Sequence, residues 1–329
     1  MKTAGIISLT VISLFFSVVS FSQTRIIFDT DFGGDADDLG ALVMLHQFMD
    51  KGECQLLGIM SWSTEKFVVP AIDAINRFYH HDNIPISTRK DSTYFEEWNY
   101  SKAIAEHFPH KLNYDNVPNA TVLYRQILAE SPDTSITMVT VGPLKNIENL
   151  LRSDKDSISE LSGEELIERK VREFVIMGGQ YPEGGGEWNF NGNMPGVTQY
   201  VIEHINIPVT FSGYEVGEAI KTGEVFNRIN HDCPLYIGFM HFSQHAPWIK
   251  DNFKGSILDN STYDETAVLY AVRKGTGIFW DKVPGICIPD ENGGNTWIAD
   301  DNSNKCYLKL KMDKKEIAEL IESVMLGKF

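Results

Sequence analysis

The strongest constraint on the fold is a repeated beat. Short apolar runs, each closed by a polar or glycine turn and followed by a helical pattern, recur until about residue 230. Arg25 to Phe28, Gln55 to Met60, Ile136 to Val141, Glu173 to Met177 and Pro208 to Phe211 read as buried strands. Helices are expected after the first run, where Leu39, Leu42, Val43, Leu45, Phe48 and Met49 are apolar, and over Pro70–Tyr79, Thr121–Glu130 and Glu164–Lys170. The beat predicts an α/β fold: a single domain with a mostly parallel open sheet flanked by helices on both faces. The C-terminal turns of such strands share one edge, and ligands bind at that edge. The first turn, Ser61–Thr64, Val141–Gly142, Gly178–Gly179 and Ser212–Gly213 should therefore ring one pocket. Asp91–Tyr114 is polar, aromatic and irregular, as an insertion at the pocket rim would be. Past Asn230 the beat weakens. His241–Trp248 reads as a loop or helix end, Tyr263–Val272 as a helix, Cys306–Met312 as a half-exposed strand and Lys314–Leu326 as an amphipathic packing helix.

The first turn and the start of its helix, Asp29-Thr30-Asp31-Phe32-Gly33-Gly34-Asp35-Ala36-Asp37-Asp38, hold five carboxylates in ten residues. A helix N-terminus favours negative charge, so Asp37 or Asp38 could act as a cap. Five acids exceed that need. Crowded like charges raise each other's pKa unless a cation sits among them, and no Lys or Arg occurs between Arg25 and Lys51. A hard cation with oxygen ligands, Ca²⁺ or Mg²⁺, answers the crowding.

Residues 1–22 read as a signal peptide, with a basic Lys2, an apolar stretch from Ala4 to Phe21 and small residues before Gln23. The mature domain would be 23–329, exported to the periplasm or secreted. No second apolar stretch approaches membrane length. The formal charge of −16 argues against nucleic acid or an anionic membrane as partner. The four cysteines are widely spaced without a CxxC, which disfavours zinc. In an exported chain Cys287 and Cys306 are the candidates for pairing. There is no linker, repeat or low-complexity tract.

Several stretches, in order, resemble the inosine-uridine preferring nucleoside hydrolases. Asp29-Thr30-Asp31-Phe32-Gly33 followed by Asp37-Asp38 is similar to the family's DxDxG and double-Asp signature, with a longer gap. Val141-Gly142-Pro143-Leu144-Lys145-Asn146 resembles its GPLTN turn. Glu187-Trp188-Asn189-Phe190, after Met177-Gly178-Gly179, resembles its EFN segment. Tyr263-Asp264-Glu265-Thr266-Ala267 resembles the late helix that carries a metal-binding Asp. The resemblance implies hydrolysis of the N-glycosidic bond of a ribonucleoside or related ribosyl compound, with Ca²⁺ as cofactor. It implies that Asp31, Asp38, Asp264 and the Val141 carbonyl hold the ion and that Asp31 activates a metal-bound water. Asp37, Glu187, Asn189 and Asp264 would contact the ribose. Asp29 would buttress the turn, and Asp35 has no counterpart. The partner would be a small ribosyl substrate, and a homo-oligomer stays open.

The nucleobase side departs from the family. Tyr263 stands where better-known members have a His that protonates the departing base, so Tyr263 is the candidate acid or a plain helix-start aromatic. A phenol, with its ordinary pKa near ~10, donates a proton poorly at neutral pH, so substrates with good leaving groups are expected to outrun inosine and uridine. His241 and His245, near Trp248, are alternative rim acids. Trp188 reads as packing, and Glu187 and Asn189 could serve only to satisfy loop backbone. Two other classes compete: an exported ribosyl-binding protein on the hydrolase scaffold, and a haloacid-dehalogenase-type phosphatase with Asp29 as nucleophile.

Overall fold

The computed structural model describes residues 23–91 and 98–329. The expected signal peptide, residues 1–22, lies outside the described residues, as does the 92–97 part of the rim insertion. The first half alternates β1 (Thr24–Thr30), α1 (Asp37–Asp50), β2 (Cys54–Ser61), α2 (Val68–Phe78), β3 (Ile86–Thr88), α3 (Ser101–His107), α4 (Ala120–Glu130), β4 (Ile136–Thr140), α5 (Lys145–Leu151), α6 (Gly163–Lys170) and β5 (Val171–Met177). There follow α7 (Trp188–Asn191), α8 (Val197–His204), β6 (Val209–Ser212), α9 (Tyr214–Ala219), β7 (Lys221–Thr222), α10 (Pro234–His245), β8 (Asn260–Ser261) and α11 (Tyr263–Arg273). The chain closes with β9 (Trp280–Pro289), β10 (Asn295–Ala299), β11 (Lys305–Leu310) and α12 (Lys314–Met325).

The main sheet has nine strands in the order β10-β9-β11-β6-β5-β4-β1-β2-β3. From β3 to β11 every neighbouring pair is parallel. Only β9 runs antiparallel to its neighbours β11 and β10. The fold is thus the expected single α/β domain with a mostly parallel open sheet. The strand order reverses between β1 and β4, and that switch point is where an open α/β sheet leaves a crevice at its C-terminal edge.

Alternation along β1 sorts its side chains onto two apolar layers. Ile26 and Phe28 join the layer that contains α1, α11 and α12, and Ile27 joins the layer of α4, α5, α6 and α8. Helix α1 is buried on almost every side, including Gly40, Ala41, Met44 and His46. A helix buried all round shows a weak apolar stripe, yet its Leu and Phe positions still marked it in the sequence.

Two expectations fail and one narrows. First, β9 and β10 were not foreseen. Each alternates exposed isoleucines (Ile286, Ile288 and Ile298) with inward residues at the sheet edge, a pattern without the continuous apolar run that marks a buried strand. Second, of the two readings of His241–Trp248, the helix end holds for its first part: α10 runs through His245, so His241 and His245 lie in its last turns. Third, Cys287 and Cys306 are both free. Cys306 pairs in register with Pro284, an odd three residues from Cys287, so the two thiols lie on opposite faces of the sheet. Cys287 meets the Tyr181 hydroxyl at 3.7 Å, while Cys306 meets the Thr210 hydroxyl at 3.4 Å.

Candidate active site

The ends of β1 and β4 lie against each other: the Val141 N–H donates to the Asp29 carbonyl at 2.8 Å. Gly142 makes this closeness feasible, because a Cβ there would sit 2.7 Å from the Asp31 backbone nitrogen. Thr30 ties β1 to the next helix, its hydroxyl donating to Asp38 and accepting the Phe32 N–H at 3.1 Å. Asp29 points away from the crevice. Its carboxylate accepts the Tyr124 hydroxyl at 2.6 Å and the Asn146 amide at 3.2 Å, and burial pushes its pKa up to about 7. Asp29 therefore buttresses the turn as expected, and a nucleophile's role does not suit it. Asn146, the last residue of the GPLKN stretch, has its purpose here.

A cavity of about 520 Å³ opens at the switch point, within the usual range for a small-molecule site. Asp31, Asp35, Asp37, Asp38 and Asp264 line its floor together with Val141. One carboxylate oxygen from each of Asp37, Asp38 and Asp264 lies within 4.8 Å of the others, and all three residues are buried. Burial raises these carboxyls well above the ordinary range, and the neighbouring carboxylates raise them further. Among the described residues no Lys, Arg or His lines the cavity. A buried cluster of oxygen donors without a protein cation suits a hard divalent ion, whose charge would restore the ionised forms. Asp31 lines the same floor outside this tight trio. Its Oδ2 accepts the Trp188 indole N–H at 2.8 Å.

Glu187 and Asn189 form one wall. The Glu187 carboxylate accepts the backbone N–H groups of Gly179 (2.9 Å), Asn189 (2.9 Å) and Phe190 (3.1 Å), fixing the turn after β5 and the start of α7. Burial still pushes its pKa up to about 7. The Asn189 amide donates to the Val141 carbonyl at 3.0 Å. Both residues satisfy loop backbone and also line the cavity. A carbonyl has two lone pairs, so Val141 retains acceptor capacity beyond Asn189.

Tyr263 lines the cavity and stacks on Tyr214 with ring centroids 5.3 Å apart. Burial, chiefly, raises its phenol pKa further above the ordinary value. His241 and His245 are not among the lining residues, and burial pushes the His241 pKa down to about 4. The Ser61–Thr64 turn is one layer behind the pocket: Trp62 meets Trp188 edge to face at 6.3 Å and carries the Arg89 guanidinium on its ring at 4.5 Å. Sequence reading missed the roles of Trp98, Trp188, Tyr214 and Trp248, all of which line the cavity. No periodic signal marks them. The only cue was aromatic density in the rim insertion and the Trp beside Glu187.

The sequence profile of the inosine-uridine preferring nucleoside hydrolases matches residues 26–319. The chain belongs to that family. The nucleoside hydrolase fold recurs in solved structures. A plant nucleoside hydrolase superposes with a TM-score of 0.68 at 15% identity, covering 92% of this chain and 99% of the other. An inosine-guanosine nucleoside hydrolase gives 0.64 at 17% identity, with 92% and 98% covered. The type III effector protein XopQ, complexed with adenosine diphosphate ribose, gives 0.62 at 14% identity, with 93% and 92% covered. A search of curated proteins finds no match. Family membership makes the chain an N-glycosyl hydrolase and sets aside the phosphatase reading.

Proposed function

We propose that this nucleoside hydrolase cleaves the N-glycosidic bond of a ribonucleoside or related ribosyl compound with Ca²⁺ held by Asp31, Asp38, Asp264 and the Val141 carbonyl. The observation that carries the reading is the buried Asp37, Asp38 and Asp264 cluster at the switch point, with no Lys, Arg or His among the described residues that line the cavity. When bound, the ion would offset that charge, acidify a water and accept vicinal hydroxyls as ligands. Asp31 takes the proton of the attacking water as the water oxygen bonds to C1′ and the electron pair of the breaking C1′–N bond leaves with the base. The Trp188 N–H on Oδ2 fixes the Asp31 carboxylate so that its other oxygen can face the sugar. Asp37 and Asp264 accept hydrogen bonds from ribose hydroxyls, and Glu187 and Asn189 hold the remaining ones. The same carboxylates stabilise the positive charge that develops on the sugar in an oxocarbenium-like transition state. Tyr263, which lines the cavity, is the candidate acid for the departing base. XopQ's complex with adenosine diphosphate ribose supports a ribosyl ligand for this fold. Residues 1–22 would export the chain to the periplasm or beyond.

A panel of inosine, uridine, adenosine, cytidine and p-nitrophenyl riboside, assayed with Ca²⁺ and with chelator, tests the reading. Ca²⁺-dependent release of ribose from at least one member is expected. No turnover of any member would leave only a binding role for the pocket.

A further inference from the structure

The aglycone side of the pocket combines an aromatic wall with an acidic floor. Trp98 and Trp248 meet edge to face with centroids 5.9 Å apart, Tyr214 and Tyr263 stack on each other, and all four line the cavity. Trp248 is 54% exposed, a large apolar ring held open at the mouth of a cavity. Among the described lining residues there is no imidazole, ammonium or guanidinium. A neutral base would gain stacking from these rings and nothing from the field. A flat cation would gain both, because aromatic faces attract positive charge and the carboxylate floor adds to that attraction. The chain's formal charge of −16 draws in cations from a distance.

Building on the hydrolase reading above, we infer that the preferred substrates of this pocket are ribosides whose aglycone is a flat aromatic cation, joined to C1′ through a positively charged ring nitrogen, as in an N-ribosylpyridinium. Such a bond needs no proton donor. As the water oxygen bonds to C1′, the C1′–N electron pair returns to the ring nitrogen and the aglycone departs neutral. The water's proton passes to Asp31 and then to solvent. The products are ribose, the free pyridine and one proton. A wall without an imidazole costs this substrate nothing, whereas inosine and uridine leave as anions unless protonated.

The test compares kcat/KM of the Ca²⁺-loaded full chain for N-ribosylpyridinium, uridine, inosine and p-nitrophenyl riboside. The pyridinium should exceed both nucleosides by about tenfold or more, the scale of a desolvated cation–π contact. Phenyl C-riboside has the same shape without the charge, and its inhibition constant should lie about tenfold above the pyridinium's KM. Trp248→Leu, and separately Trp98→Leu, should pull the pyridinium-to-uridine ratio towards one. A nucleoside that matches the pyridinium, or a ratio unchanged in both variants, overturns the cationic-aglycone inference while p-nitrophenyl riboside turnover upholds the hydrolase. No turnover on all four overturns both.

Discussion

The floor of the pocket takes Asp31, Asp35, Asp37 and Asp38 from one turn and the helix start after it. The wall takes Trp98, Trp188, Tyr214, Trp248 and Tyr263 from five separate points along the chain. Asp37, Asp38 and Asp264 are buried and crowded, and burial and the neighbouring carboxylates push their pKa values up. The wall is partly exposed and uncharged, with 39% of Trp188 and 54% of Trp248 open to solvent. The difference separates two tasks. In the proposed function the floor holds the sugar and drives bond cleavage, so its substitutions should abolish turnover. In the same proposal the wall selects the aglycone, so its substitutions should reorder substrates.

Asp31→Asn should break the floor most severely. Loss of a general base lowers rates by roughly 10²–10⁴-fold, on every substrate alike, while circular dichroism shows the fold retained. A variant that keeps more than about a tenth of the activity removes Asp31 from the mechanism. Gly142→Ala should come next. Its new Cβ would press on the Asp31 backbone at 2.7 Å, and overpacking of this kind costs about 1–3 kcal/mol. Both kcat and the melting temperature should fall. An unchanged kcat would mean that the β1 and β4 turns separate freely. On the wall, Tyr263→Phe should spare p-nitrophenyl riboside, whose leaving group needs no proton, and slow inosine and uridine. Equal rates on the nucleosides would rule Tyr263 out as their acid.

The smallest effect lies remote from both sides. His46 is fully buried on α1, its Nδ1 2.9 Å from that of His81, and burial pushes its pKa down to about 3. The unfolded chain binds a proton near pH 6.5 that the folded chain refuses, so stability is full above that pH and falls as the pH drops below it. At ~1.4 kcal/mol per unit, the loss from pH 6.5 to 5 is about 2 kcal/mol. His46→Phe should flatten this part of the melting curve against pH. If the acid-induced loss persists unchanged in the variant, its source is not His46.

The contrast between floor and wall also accounts for what the sequence disclosed. The acids are legible because Asp29 to Asp38 is a contiguous strand-to-helix turn whose charge density has no local counter-ion, and Asp264 is legible only through the resemblance of its helix start to the family's late motif. The strand–turn–helix beat located β1, β2, β4, β5 and β6, and with them the sheet edge. The wall is illegible for the opposite reason. Trp98 and Trp248 are 150 residues apart, and only the tertiary fold brings their rings into contact. Trp188 read as packing because a Trp carries no pattern that tells a core ring from one whose indole N–H reaches Asp31. At the far edge of the sheet, β9 and β10 escaped notice because half of each strand faces solvent, and the Cys287–Cys306 pairing failed because sequence proximity says nothing about which face of a sheet a residue occupies.

The central claim is that the floor needs a divalent cation to function. The direct test is p-nitrophenyl riboside turnover by one preparation as purified with Ca²⁺, after exhaustive chelation, and after Ca²⁺ is restored, with the melting temperature followed in parallel. Chelation should abolish turnover and lower the melting temperature, since an ion that bridges distant stretches stabilises the folded chain by linkage, and Ca²⁺ should restore both at one ion per chain. Turnover and melting temperature that are indifferent to chelator would contradict the account.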